Sequence, residues 1–148
     1  MATLTRGPRW GSERGAELIE MVVVTPLLLL LLFGIIDFGF MFQRYVVLTN
    51  AAMEGARVGI LPGYNMSDAK ARAETYAHTS GVPPGTATAT PTLVNLPGAG
   101  GGTWPGVQVV VVHNYTYSYI GPILGMFNGS LAAVNLTASA TMRRQLGS

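Results

Sequence analysis

From Met21 to Gln43 the chain runs for 23 residues with one charged side chain, Asp37. As an α-helix this run is about 34 Å long, enough for a hydrocarbon core of roughly 30 Å. Its centre, Leu27 to Phe33, is six leucines and a phenylalanine, apolar on every side, so no stripe is reserved for water. A buried helix of a soluble domain needs other chain around it, and the rest of a 148-residue sequence supplies too little. The run therefore predicts a membrane span. A secretory signal removed by ordinary signal peptidase is disfavoured, because Asp37-Phe38-Gly39-Phe40-Met41-Phe42 offers no small-x-small cleavage site after it. Asp37 falls near the outer interface, where its carboxylate reaches water or pairs with a neighbouring helix.

Charge bears on the orientation and excludes several functions. Arg6, Arg9 and Arg14 precede the span, and Arg44 and Arg57 follow it, so the positive-inside rule weakly favours a cytoplasmic N-terminus. The formal charge of +2 belongs to that tail, and from Ala16 onward basic and acidic side chains balance. No basic face remains for nucleic acid. The 68 residues from Thr75 to Met142 carry no Asp, Glu, Lys or Arg, and the only histidines are His78 and His113. A triad, a carboxylate pair or a metal site would have to borrow its acids from elsewhere. With no cysteine there is no disulfide framework and no thiolate. The expectation is a chain that is not an enzyme and holds no cofactor and no metal.

Beyond the membrane the helical pattern continues to about Ile60, where Pro62-Gly63 stops it. Ala51, Gly55 and Gly59 recur every four residues with Ala52 and Ala56 beside them. Such spacing lets a second element approach closely, whether from the chain's own domain or from another subunit. A second helix is predicted from about Ser67 to Thr79, capped by Asn65 or Ser67. The remainder reads as strands. From Val107 to Ile120 the odd positions Val107, Val109, Val111, His113, Tyr115, Tyr117 and Tyr119 form an apolar-aromatic face, which makes His113 a core residue rather than a ligand. From Leu131 to Met142 the even positions are apolar and the odd ones polar from Asn135 on. Thr86 to Leu96 is a weaker strand, confined to an edge by Pro91. Residues 97–102 are a glycine-rich loop, and Asn128-Gly129 marks a turn.

The expected fold class is α+β: a long N-terminal transmembrane helix continuing outside the membrane and packed on a small antiparallel β-sheet. It divides into a leader (1–15), a transmembrane and extracytoplasmic helix (16–61), and an extracytoplasmic helix-plus-sheet region (62–148). Four N-x-S/T sequons begin at Asn65, Asn114, Asn128 and Asn135. Two of them follow from the polar face of a strand, where residues i and i+2 lie side by side.

The junction Gly15-Ala16-Glu17-Leu18-Ile19-Glu20-Met21 ends a basic leader in glycine and places a glutamate five residues further on. It resembles the processing site of type IV-like prepilins, which a membrane aspartyl peptidase cuts after the glycine. Cutting between Gly15 and Ala16 makes Glu20 the fifth mature residue. A glutamate near the hydrocarbon costs about 2.5 kcal/mol or more if central, so it needs a partner; the resemblance implies the α-amino group of an adjacent subunit. Val24-Thr25-Pro26, the run from Leu27 to Ile36-Asp37-Phe38-Gly39, and Thr49-Asn50-Ala51-Ala52-Met53-Glu54-Gly55-Ala56-Arg57 resemble the TadE-like family over about residues 14 to 57. Pro26, Asp37, Gly39, Asn50, Ala51, Glu54, Gly55, Ala56 and Arg57 carry that likeness. Met21, where major Flp pilins commonly have Tyr, and Phe40, where many relatives have Arg, depart from it.

The resemblance implies a pseudopilin or minor pilin of the bacterial tight adherence (Flp-type) pilus system. Its expected partners are the lipid bilayer, a prepilin peptidase and other pilins or pseudopilins, with no nucleic acid. Its expected location is the cytoplasmic (inner) membrane, single-pass with the C-terminal domain outside, and from there an extracellular pilus. Another class of function is an anchored or pilus-tip adhesin that binds through exposed Trp104, Tyr115, Tyr117 and Tyr119. A third is an envelope protein that is never processed. Burial of the tyrosine face separates the first two.

Overall fold

The computed structural model describes residues 10–98, 100–127 and 133–144. The first nine leader residues, the Asn128-Gly129 turn and the Asn128 sequon lie outside them. Helix α1 (Trp10–Gly59) runs unbroken for 50 residues, through Pro26 and past the end of the apolar run. Helix α2 (Met66–Thr79) follows, then strands β1 (Ala87–Pro97) and β2 (Thr103–Thr116), the short helix α3 (Gly121–Phe127) and strand β3 (Ala133–Arg143). The sheet is antiparallel in the order β1-β2-β3, so Pro91 sits on an edge as expected. The α+β class, with a long apolar helix against a small sheet, is what the structure shows.

Both ends of α2 are set locally. The Asn65 side chain accepts from the Ser67 and Asp68 N–H groups while Asp68 accepts from the Asn65 N–H, a reciprocal capping box. At the other end Gly81 takes φ +98°, which lets the Val82 N–H reach back to the Ala77 carbonyl at 3.0 Å. That turn buries Val82 in the core.

The core lies between one face of the sheet and one face of α1 and α2. Val107, Val109, Val111 and Tyr115 of β2, Leu136 and Ala138 of β3, and Leu48, Ala51, Ala52, Ala56, Ala73 and Ala77 of the helices form it. The small-residue spacing on α1 serves this packing. A Cβ on Gly55 would stand 2.9 Å from both the Ala69 carbonyl oxygen and the Ala73 Cβ, and one on Gly59 would stand 2.8 Å from Val107 Cγ1. The chain's own α2 and β2 occupy the close approach. On the opposite sheet face Asn114 and Asn135 are directly paired, Nδ2 to Oδ1 at 2.8 Å, so two sequons arise from one polar cross-strand pair.

One expectation needs correction, and one element is added. Strand β2 starts and ends four residues earlier than the alternation suggests, closing at Thr116 instead of Ile120. The N–H groups of Ser118, Tyr119 and Ile120 leave the ladder because a carboxylate on α1 takes them. The apolar segment after Ile120, to which the alternation assigns no element, forms α3.

Candidate functional site

Helix α1 carries three groups of candidate residues at three levels. At its lower end Gly15 is half-buried while Ala16 and Glu20 are exposed. Among the described residues no partner meets the Glu20 carboxylate. From Leu18 to Ile36 the apolar side chains other than the half-buried Phe33 stand open to the surroundings. Pro26 and Gly39 lie on exposed helix surface, and a Cβ at Gly39 would meet nothing within 4 Å. One described helix is long and apolar enough to cross a membrane, as a single-pass protein requires.

At the upper end the motif from Asn50 to Arg57 is a packing seam. Ala51 and Ala56 are fully buried and Asn50 is half-buried. Glu54 holds Arg72 of α2 at 3.0 Å and Arg57 on its own helix at 3.4 Å. These are exposed ion pairs, each worth roughly 1 kcal/mol or less. The weight at this level rests on the interlocked alanines and glycines.

Between the two levels sits Asp37, and here the structure departs from the sequence reading. Asp37 is fully buried and faces neither water nor another subunit's helix. Its Oδ1 accepts the Ser118 N–H at 3.1 Å; its Oδ2 accepts the Tyr119 and Ile120 N–H groups at 2.9 and 2.7 Å. The Asp37 carbonyl also accepts the Tyr115 hydroxyl at 3.4 Å. Burial pushes the Tyr115 hydroxyl above its ordinary pKa, with the nearby Asp37 charge adding to the rise and Arg44 opposing it. Seven residues after Asp37, on the same face of α1, the Arg44 guanidinium donates to the Gly81 carbonyl at the end of α2. Asp37 and Arg44 thus clip the helix to the domain at two points: an acid on three backbone donors and a base on one backbone acceptor.

Around Asp37 the aromatic face closes onto α1. Tyr115 is buried, and Tyr117 packs beside it with its hydroxyl 3.5 Å from Met41 Sδ. Tyr119 stacks on Phe33 and Phe40, with ring centroids 5.8 and 6.5 Å away. Trp104, at the far end of the sheet, lies under the Arg143 guanidinium at 3.7 Å. Below Tyr119 an apolar groove of about 400 Å³ separates Leu30, Gly34 and Phe38 of α1 from Ile120 and Ile123.

His113 is buried, with Nδ1 3.1 Å from the Thr86 carbonyl oxygen, a packed core histidine. Among the described residues no three of His, Cys, Asp and Glu come close enough to hold a metal. The geometry among the described residues is that of an anchor: Asp37 and Arg44 hold the sheet and α2 against the long apolar helix.

Residues 15–57 match the family model described as TadE-like protein, the family that the residues themselves resemble. The matched stretch begins at the Gly15 junction, contains Asp37 and ends with the packing seam at Arg57. No curated protein and no solved structure matches the chain.

Proposed function

We propose that this protein is a pseudopilin or minor pilin of a tight adherence pilus, processed by a prepilin peptidase and acting in pilus assembly. The observation that carries the reading is a coincidence of position. The TadE-like match covers 15–57, which is nearly the whole of the long apolar helix from the Gly15-Ala16 junction to the domain. In this reading residues 1–15 are the leader and the peptidase cuts at Gly15-Ala16. Glu20, exposed on the helix four residues beyond the new N-terminus, then pairs with the α-amino group of a neighbouring subunit. Residues 16–61 form the membrane and assembly helix, and 62–148 the extracytoplasmic domain. The partners are the bilayer of the bacterial inner membrane, the peptidase and other pilins of the machinery. The role is structural and not enzymatic. The adhesin alternative loses Tyr115 and Tyr117, which are turned into the helix-sheet core, and keeps Trp104 and Tyr119 exposed.

Mass spectrometry of the mature protein tests the reading. The expected first residue is Ala16. Gly15→Ala should leave an uncut but inserted precursor, while Glu20→Ala should permit cleavage and weaken assembly. Recovering only the uncut chain from cells with an active prepilin peptidase would overturn the proposal and leave a membrane anchor carrying a small domain.

A further inference from the structure

We infer that the segment from Ile120 through α3 is a second membrane contact, a foot that dips into the outer leaflet beside the spanning helix. The inference rests on the reading that α1 crosses a bilayer, and it adds a docking surface whose partner is the acyl region of that leaflet.

Depth is the first argument. Ile120, bonded to Asp37, and Ile123 line a groove that runs on α1 from Phe38, one residue above Asp37, down to Leu31 and Leu30. Its lower edge lies six to seven residues below Asp37. At 1.5 Å per residue that is about 9–10 Å. With Asp37 at the outer boundary of the hydrocarbon, the foot reaches the depth at which interfacial helices settle, about 5–10 Å into the headgroup and acyl boundary. The second argument is composition. Residues 119–127, Tyr-Ile-Gly-Pro-Ile-Leu-Gly-Met-Phe, hold no charged side chain. The groove walls are apolar, and Tyr119 stands half-exposed at the rim on Phe33 and Phe40, the position aromatic side chains take at a membrane surface.

The third argument is the backbone. Irregular chain survives at membrane depth only where its polar groups find internal partners. Ser118, Tyr119 and Ile120 are the residues that leave the sheet on the way down, and Asp37 accepts all three of their N–H groups. Pro122 has no N–H to satisfy. The carboxylate therefore does more than tie the domain to the helix: it provides the acceptors that water cannot provide at that level.

The absence of cysteine allows a direct test on the full chain reconstituted in phosphatidylethanolamine/phosphatidylglycerol vesicles. Single nitroxide labels go on Pro122→Cys and Gly125→Cys, both exposed, with Leu29→Cys on the span and Thr137→Cys on the open sheet face as references. Labels at 122 and 125 should be relaxed several-fold more by oxygen than by a water-soluble nickel chelate, as at 29, with the reverse at 137. Overturning results are nickel-dominated relaxation at 122 and 125 while 29 stays in lipid, or shielding of both from either reagent, which would assign the face to a second copy of the chain. Nickel access at 29 itself would instead remove the membrane reading, and the foot with it.

Discussion

Replacing Asp37 with alanine removes one side chain and leaves three N–H groups without acceptors. Asp37 is fully buried, so water does not readily substitute. A hydrogen bond to a charged group contributes about 1.5–3 kcal/mol, and a stranded buried donor costs about 1–3 kcal/mol. Three bonds to one carboxylate are not additive, and a central expectation of about 3–5 kcal/mol matches what is lost when one partner of a buried pair is deleted. For a region of this size urea slopes are about 1–1.5 kcal/mol/M, so the midpoint should fall by roughly 2 M or more. The assay is urea unfolding in detergent micelles followed by Trp104 fluorescence, in a Trp10→Phe background. Amide exchange should show Ser118, Tyr119 and Ile120 losing protection first. Asp37→Asn keeps one acceptor oxygen and should fall between. A midpoint shift below about 0.5 M for Asp37→Ala, with those three amides still protected, would refute the anchoring role.

Gly55→Ala places a Cβ 2.9 Å from a backbone oxygen and should destabilise the domain by about 1–3 kcal/mol. Gly39→Ala, with open space around it, should leave the thermal midpoint of the domain unchanged; equal effects would remove the close-packing account. Tyr115 keeps its proton longer in the folded chain than in the unfolded one. Stability should therefore be level below about pH 10 and fall as pH rises from there toward the raised folded value. Tyr115→Phe should lose that alkaline slope, read by comparing unfolding of the two proteins at pH 9 and 11.

Much of the molecule was legible because its signals are local. The apolar run announces α1, Asn65, one of the two cap candidates, caps α2 as a local signal, and the alternation through Val107, Val109 and Val111 fixes which face of β2 is buried. Pro91 placed β1 on an edge for want of an N–H. The role of Asp37 was not legible, since its partners lie 81 to 83 residues away and backbone donors leave no mark in a sequence. For the same reason the end of β2 was misplaced: Tyr117 and Tyr119 keep the alternation after the ladder has stopped. Helix α3 was hidden by Gly121-Pro122, which reads as an interruption when its neighbours are unknown.

The grip on Asp37 also acts as a gauge of length. From Glu20 to Asp37 the helix rises about 25 Å, a few ångströms less than a hydrocarbon core of roughly 30 Å. Such hydrophobic mismatch is relieved by thinning the bilayer, by snorkelling of flanking side chains or by oligomerising. The carboxylate of Asp37 fixes the upper mark to the domain, so the slack falls on the inner end, at Glu20. In the proposed function the membrane helix is like a bolt fastened only at its head. On the proposed function, the acid at that loose end is the group that a neighbour's α-amino charge would meet.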